Sequence, residues 1–201
     1  MNNQDKYKEP EYDMQEMDHR HVAMIGTFLK SRPFKSVMEI GCWKGRCTSV
    51  ILNAHHFKKV NSVTLCDVAI KPEIREMTKG IRHCNTLEMT GKEALQGAEP
   101  YIYDVVILDN GHSLDVSREE WIELARHKPE VLILHDVTAP AAGYENCEGP
   151  GWMLEEIRRA GYSVVIDNEK RENERTHRGL AFCCRTLELL ELAKEAINSH
   201  L

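Results

Sequence analysis

Seven short apolar runs, alternating with amphipathic stretches, predict an α/β fold. It is a doubly wound, mostly parallel seven-stranded sheet with an antiparallel terminal hairpin. Three observations carry this reading. The runs Ser36–Ile40, Tyr103–Leu108 and Val131–Leu134 are apolar without alternation, as in strands covered on both faces. Segments with helical spacing of apolar residues separate most of the runs. The last two runs, Tyr162–Ile166 and Gly179–Cys184, are joined by the polar stretch Asp167–Arg178, which lacks the helix that a parallel crossover needs.

The elements follow in order. Met17–Leu29 carries Met17, Val22, Met24, Ile25, Phe28 and Leu29 on roughly one helical stripe, and Pro33 stops it. Ser36–Ile40 is a buried strand ending at Gly41, with the helix Arg46–His56 after it. Val60–Cys66 is a second strand, closed by Asp67. Pro72–Lys79 forms a short helix, Ile81–Asn85 a weak strand, and Gly91–Gly97 another short helix. Tyr103–Leu108 is the clearest strand, and Ser117–His127 the amphipathic helix that Pro129 ends. Val131–Leu134 runs into His135-Asp136. Thr138–Gly151, rich in Pro, Gly and Ala, reads as a lid, a substrate loop or a plain connector. Trp152–Ala160 and Leu187–Ile197 are helical. A single domain over 1–201 is expected, with an N-terminal arm and helix (1–33), a core (34–185) and a C-terminal helix (186–201).

Composition narrows the function. The net charge of −6 disfavours a protein that grips a long duplex by its phosphates. The basic pairs Arg158-Arg159 and Lys170-Arg171 read as solvated surface. No apolar run approaches the ~20 residues that a bilayer-spanning helix requires. Met1 to Met14 is too polar for a signal peptide, so a cytoplasmic protein is expected. The seven cysteines are odd in number and form no C-x-x-C pair, which argues against a disulfide framework or a structural zinc knot. Cys66 and Cys183-Cys184 lie in strand-like runs and read as packing residues.

Glu39-Ile40-Gly41-Cys42-Trp43-Lys44-Gly45 places an acid at a strand end and two glycines at the entry to a helix. Gly41 permits a tight turn and a close approach to a ligand, and Gly45 a close helix approach. The spacing is not the G-x-G-x-x-G of dinucleotide binders. Asp67 ends the second strand, where doubly wound folds set an acid against ribose hydroxyls. Together with the terminal strand pair, these motifs resemble the class I S-adenosylmethionine-dependent methyltransferases over about residues 34 to 185. The resemblance implies an S-adenosyl-L-methionine site built from Glu39, Gly41, Trp43, Gly45, Asp67 and Asp109. The methionine moiety would lie beside Gly41, the ribose on Asp67, and the adenine near Asn85, Thr86 and the residues that follow.

Val105-Val106-Ile107-Leu108-Asp109-Asn110-Gly111-His112 resembles the strand and D-G-x-H-S signature of a small-molecule O-methyltransferase branch. That branch is related to macrocin, mycinamicin and cephalosporin-biosynthesis enzymes. Leu132-Ile133-Leu134-His135-Asp136 resembles its fifth-strand end. By position, the resemblance makes Asp109 and Asp136 metal ligands and Asp109 and His112 the catalytic residues, with His112 as base. Two carboxylates at adjacent strand ends suit Mg²⁺, which would acidify a substrate hydroxyl. His135 stands where metal-binding relatives often carry an acid, so the metal requirement stays open. Neither an N/D-P-P-Y motif nor a Pro-Cys dipeptide is present, which speaks against amino or cytosine-C5 methylation of nucleic acid. The expected acceptor is a hydroxyl of a small molecule, such as a sugar or glycosylated metabolite. Two alternatives stay open: a cofactor-binding protein without methyl transfer, and an NAD-dependent Rossmann enzyme. A homo-oligomer is equally open.

Overall fold

The computed structural model describes residues 6–8, 17–168 and 178–201. Most of the arm before Met17 and the polar link 169–177, with its Lys170-Arg171 pair, lie outside the described residues. The chain runs α1 (His19–Ser31), β1 (Phe34–Ile40), α2 (Arg46–His56), β2 (Val60–Asp67), α3 (Pro72–Thr78), β3 (Cys84–Glu88) and α4 (Gly91–Gly97). It continues through β4 (Val105–Leu108), α5 (Leu114–His127), β5 (Val131–His135), α6 (Glu148–Arg159), β6 (Ser163–Asp167), β7 (Leu180–Cys184) and α7 (Leu187–Asn198). The seven strands form one sheet in the order β3-β2-β1-β4-β5-β7-β6. β1 to β5 are mutually parallel, and β7 runs antiparallel to both β5 and β6. This is the Rossmann-like methyltransferase fold, terminal hairpin included.

Every residue of β4, β5 and β7 is buried, which is why those runs carry no polar alternation. Alternate side chains serve two cores. Val37, Val63, Val105, Ile107 and Ile133 pack with α1, α2 and α7 on one face. Met38, Ile40, Val106, Leu108 and Leu134 pack with α4, α5 and α6 on the other. Register brings Ile40 beside both Cys66 and Leu108, so the parallel strands end nearly level. Strand order reverses between β1 and β4, and the crevice beyond those ends is where doubly wound sheets bind ligands.

Three elements start three or more residues from where the sequence places them. β3 spans Cys84–Glu88, three residues later than Ile81–Asn85, because His83 turns with φ +58° and Ile81 belongs to the preceding turn. α5 begins at Leu114, where the Ser113 hydroxyl accepts from the Val116 N–H. α6 begins at Glu148, since Pro150 falls in its first turn, where a missing N–H costs nothing. The stretch Thr138–Gly151 therefore contains a 3₁₀ turn (Ala139–Ala142) and the start of α6. No helix among the described residues is long and apolar enough to cross a membrane.

Candidate active site

The turn after β1 is shaped by backbone conformation. Gly41, Trp43 and Gly45 all have positive φ, at +89°, +44° and +97°. A Cβ on Gly41 would stand 2.1 Å from the Asp109 carbonyl oxygen, so no other residue fits while β1 and β4 remain paired. Gly45 lies against Ile74 and Met77 of α3, 2.9 Å from where its Cβ would be. Asp67 fastens the turn: its Oδ2 accepts from the Cys42 and Trp43 N–H groups at 2.9 and 3.0 Å, and its Oδ1 from the Ala69 N–H at 3.1 Å. A carboxylate offers about four acceptor positions, so Asp67 retains capacity toward the crevice.

A cleft of ≈430 Å³ opens there, lined by Gly41, Trp43, Asp67, Val68, Asp109 and Asn110 on one side. Met89, Thr90, Gly91 and Glu120 line it on the other. The Trp43 indole lies under the Lys71 ammonium, which is 4.8 Å from its centre. α4 starts at the cleft edge with a reciprocal cap between Thr90 and Glu93. Gly91 is held close, since its Cβ would lie 2.3 Å from Glu120 Oε1. Burial raises the Glu120 carboxyl to about 7, while Asn110 donates to it and works the other way. A larger hollow of ≈880 Å³, lined by Tyr7, His55 and His83 with Glu76 as its one acid among the described residues, lies at the opposite ends of the strands.

Of the residues singled out in the sequence, Gly41, Trp43, Asp67 and Asp109 meet around the cleft. Glu39 and Gly45 lie behind it. Glu39 is 1% exposed and accepts from Thr48 Oγ1 at 2.6 Å. Burial drives its carboxyl up to about 8, the Asp109 charge adding to the rise and the Thr48 hydrogen bond opposing it. Asn85 and Thr86 stand mid-strand on β3, exposed and outside the cleft lining. The strand that carries them ends at Glu88, and Met89 to Gly91 line the cleft instead. Trp152, a residue of α6, is partly buried against the core.

Asp109 is shared by the cleft and a buried polar network behind it. His135 Nδ1 lies 2.9 Å from Asp109 Oδ1 and 3.1 Å from Asp136 Oδ1, and Arg178 Nε lies 3.3 Å from Asp136 Oδ1. His112 Nε2 is 2.9 Å from Asp136 Oδ2 and 3.8 Å from Asp109 Oδ1. Adjacent strand residues point to opposite faces. Asp136 escapes that rule through its left-handed backbone, φ +62°, which lets it and His135 reach the same cluster. Burial works against ionising His112 and His135, yet the two carboxylates win and raise both to about 10. The same two histidines overcome burial and hold Asp109 well below the usual carboxylate range. The two carboxylates thus favour the charged form of His112, the opposite of what the base role read from the sequence needs. Its loop is seated by α6, where the Gly149 N–H donates to the His112 carbonyl at 2.9 Å. A Gly149 Cβ would lie 2.6 Å from that oxygen.

Sequence reading missed Arg178, Gly149 and Glu120, together with Asp18, His21 and Asp167 at the far end of the network. Only Asp18-His19-Arg20-His21, a dense polar run at a helix start, offered a local signal.

Neither a protein-family model nor a curated protein sequence matches the chain. Solved structures do match in fold. An O-methyltransferase from Bacillus cereus in complex with SAH superposes with a TM-score of 0.64 at 13% identity, over 86% of this chain and 83% of that one. A 1,6-didemethyltoxoflavin-N1-methyltransferase from Burkholderia thailandensis, with 1,6-didemethyltoxoflavin and S-adenosylhomocysteine bound, gives 0.60 at 14% identity, over 84% and 80%. Precorrin-6y C5,15-methyltransferase from Geobacter metallireducens gives 0.58 at 16% identity, over 90% and 96%. The fold is common to proteins named for methylating oxygen, nitrogen and carbon, so it does not select the acceptor atom.

Proposed function

We propose that the chain is an S-adenosylmethionine-dependent methyltransferase that methylates a hydroxyl of a small molecule. The observation that carries this is the cleft at the reversal of strand order, where Gly41, Asp67 and Asp109 converge. In this reading the Asp67 carboxylate accepts from the ribose hydroxyls. Val68, Met89 and Val116 give the base apolar walls. The methionine end lies along the turn at Gly41, beside Asp109. Titrating purified, ligand-free protein calorimetrically with S-adenosylmethionine and S-adenosylhomocysteine tests it. Micromolar binding is expected, weakened about 10- to 100-fold in Asp67→Ala, the worth of hydrogen bonds to a charged group. A folded protein that binds neither ligand overturns the reading, and NAD binding would replace it with the dehydrogenase alternative.

Oxygen as the acceptor rests on the Asp109–His112–Asp136 group beside the cleft. Its donor atoms lie within 4.8 Å of one another, and His112 Nε2 is buried with no hydrogen bond among the described residues, so the residues fit a divalent ion. Asp109 and Asp136 would hold it, with His112 alongside, and it would supply acidification of a substrate hydroxyl. With no such cation, His112 keeps its proton between the two carboxylates and can donate a hydrogen bond but not take a proton. It becomes a base only when another positive charge takes up those carboxylates. His112→Ala is expected to lower methyl transfer about 10²- to 10⁴-fold while leaving cofactor affinity unchanged. Equal loss of both would assign His112 to cofactor binding instead.

A further inference from the structure

The buried network has a second half that the cleft does not use. Asp18 stands at the N-cap position of α1, yet its carboxylate caps nothing. It turns inward, with Oδ2 3.5 Å from Nδ1 of His21 and 3.9 Å from Nε2 of His135. All three atoms lie within 4.8 Å of one another. Asp18 Oδ2 and His135 Nε2 are buried and neither makes a hydrogen bond among the described residues, and the His135 side chain is 0% exposed. Buried polar atoms left this way are rare and costly.

Both imidazoles are gripped from behind by a carboxylate. His21 Nε2 lies 3.1 Å from Asp167 Oδ2, which Arg20 also contacts, and His135 Nδ1 lies 2.9 Å from Asp109 Oδ1. A carboxylate on the far nitrogen is what fixes ring orientation and tautomer in metal-bound histidines. The two rings meet edge-on, their centres 5.3 Å apart at 74°, and are not stacked. The 3.5 and 3.9 Å separations are near the ~3.3 Å edge of a tetrahedron with ~2.0 Å metal–ligand bonds.

We propose that Asp18, His21 and His135 form a binding site for a zinc-class divalent ion. It is distinct from the Asp109–His112–Asp136 group and independent of whether the chain transfers methyl groups. Two imidazole nitrogens and one carboxylate suit Zn²⁺ or Co²⁺, whereas Mg²⁺ asks for oxygen. An ion there satisfies Asp18 and His135 together. It also ties the start of α1 to the end of β5 and, through His135, to Asp109 in the cleft wall.

The test uses the full chain, stripped with a chelator, dialysed, and titrated with Zn²⁺, with Co²⁺ absorption as a second probe. Folding is checked by circular dichroism. The wild type is expected to retain about one equivalent after gel filtration, with visible Co²⁺ bands of a low-coordinate nitrogen and oxygen site. Asp18→Asn and His21→Gln are each expected to weaken binding at least about 30-fold, and His112→Ala to leave it intact. A folded wild type that retains no Zn²⁺ overturns the proposal, whatever the variants do. So does an equivalent that survives both Asp18→Asn and His21→Gln, or one that disappears in His112→Ala alone, which would place the ion at the other group.

Discussion

Gly41→Ala is expected to cost about 2–4 kcal/mol of stability and to abolish cofactor binding. A left-handed backbone costs an L side chain about 1–2 kcal/mol, and the steric conflict adds to it. The added methyl would meet the Asp109 carbonyl, a backbone atom that can move only if β1 and β4 separate at the cleft. Gly80→Ala is the internal control, because Gly80 has φ +73° with nothing within 4 Å of its Cβ position. It bears the conformational cost alone, about 1–2 kcal/mol. Urea denaturation of both variants, with calorimetry on Gly41→Ala, separates the two contributions. Equal losses would show that the close approach of β1 and β4 contributes nothing.

Glu39 is expected to make the folded protein lose stability as pH rises. Its carboxyl is held at about 8 in the fold, against 4.5 in an unconstrained chain. Between those values the native state keeps a proton that the unfolded chain has released, so raising the pH favours unfolding. The contribution is full below the unfolded value and lost as the pH passes the folded one. For such a shift it amounts to roughly 5 kcal/mol in all. Glu39→Gln keeps the shape and removes the titration. The wild-type stability, relative to Glu39→Gln, should therefore fall from pH 5 to pH 8 by an amount of that order. Denaturant curves at the two pH values check it. A wild type and variant that keep a constant difference would mean that Glu39 is ionised throughout.

What was legible in the sequence tracks what is local. β4 and β5 carry unbroken apolar runs because both faces are covered. α2 and α4 have the bounds read from the sequence, and each starts at a local feature, Gly45 in one case and the Thr90–Glu93 cap in the other. Gly41, Asp67 and Asp109 each follow a strand, and level parallel strands bring such residues together. β3 was misplaced because it is an exposed edge strand with little apolar pattern, while Ile81 in the preceding turn mimicked a strand residue. The polar network was largely hidden. His21 and Asp167 are 146 positions apart, and no spacing rule links them. The backbone reversal at Asp136 also left no trace in composition. The protonation of His112 follows from that convergence, so it could not be read from residue type.

The sheet order also dictates how the molecule can be assembled during synthesis. β7 is the last strand made, yet it lies between β5 and β6, and among the described residues it is the only strand that β6 pairs with. Until Cys184 has left the ribosome, the first five strands can join, but β6 has nowhere to dock. β5 meanwhile presents a bare row of backbone donors and acceptors. Arg20 and His21 must likewise wait for Asp167 on β6. Completion therefore hinges on a late insertion between distant segments, the kind of step that slows folding and exposes a nascent chain to wrong partners.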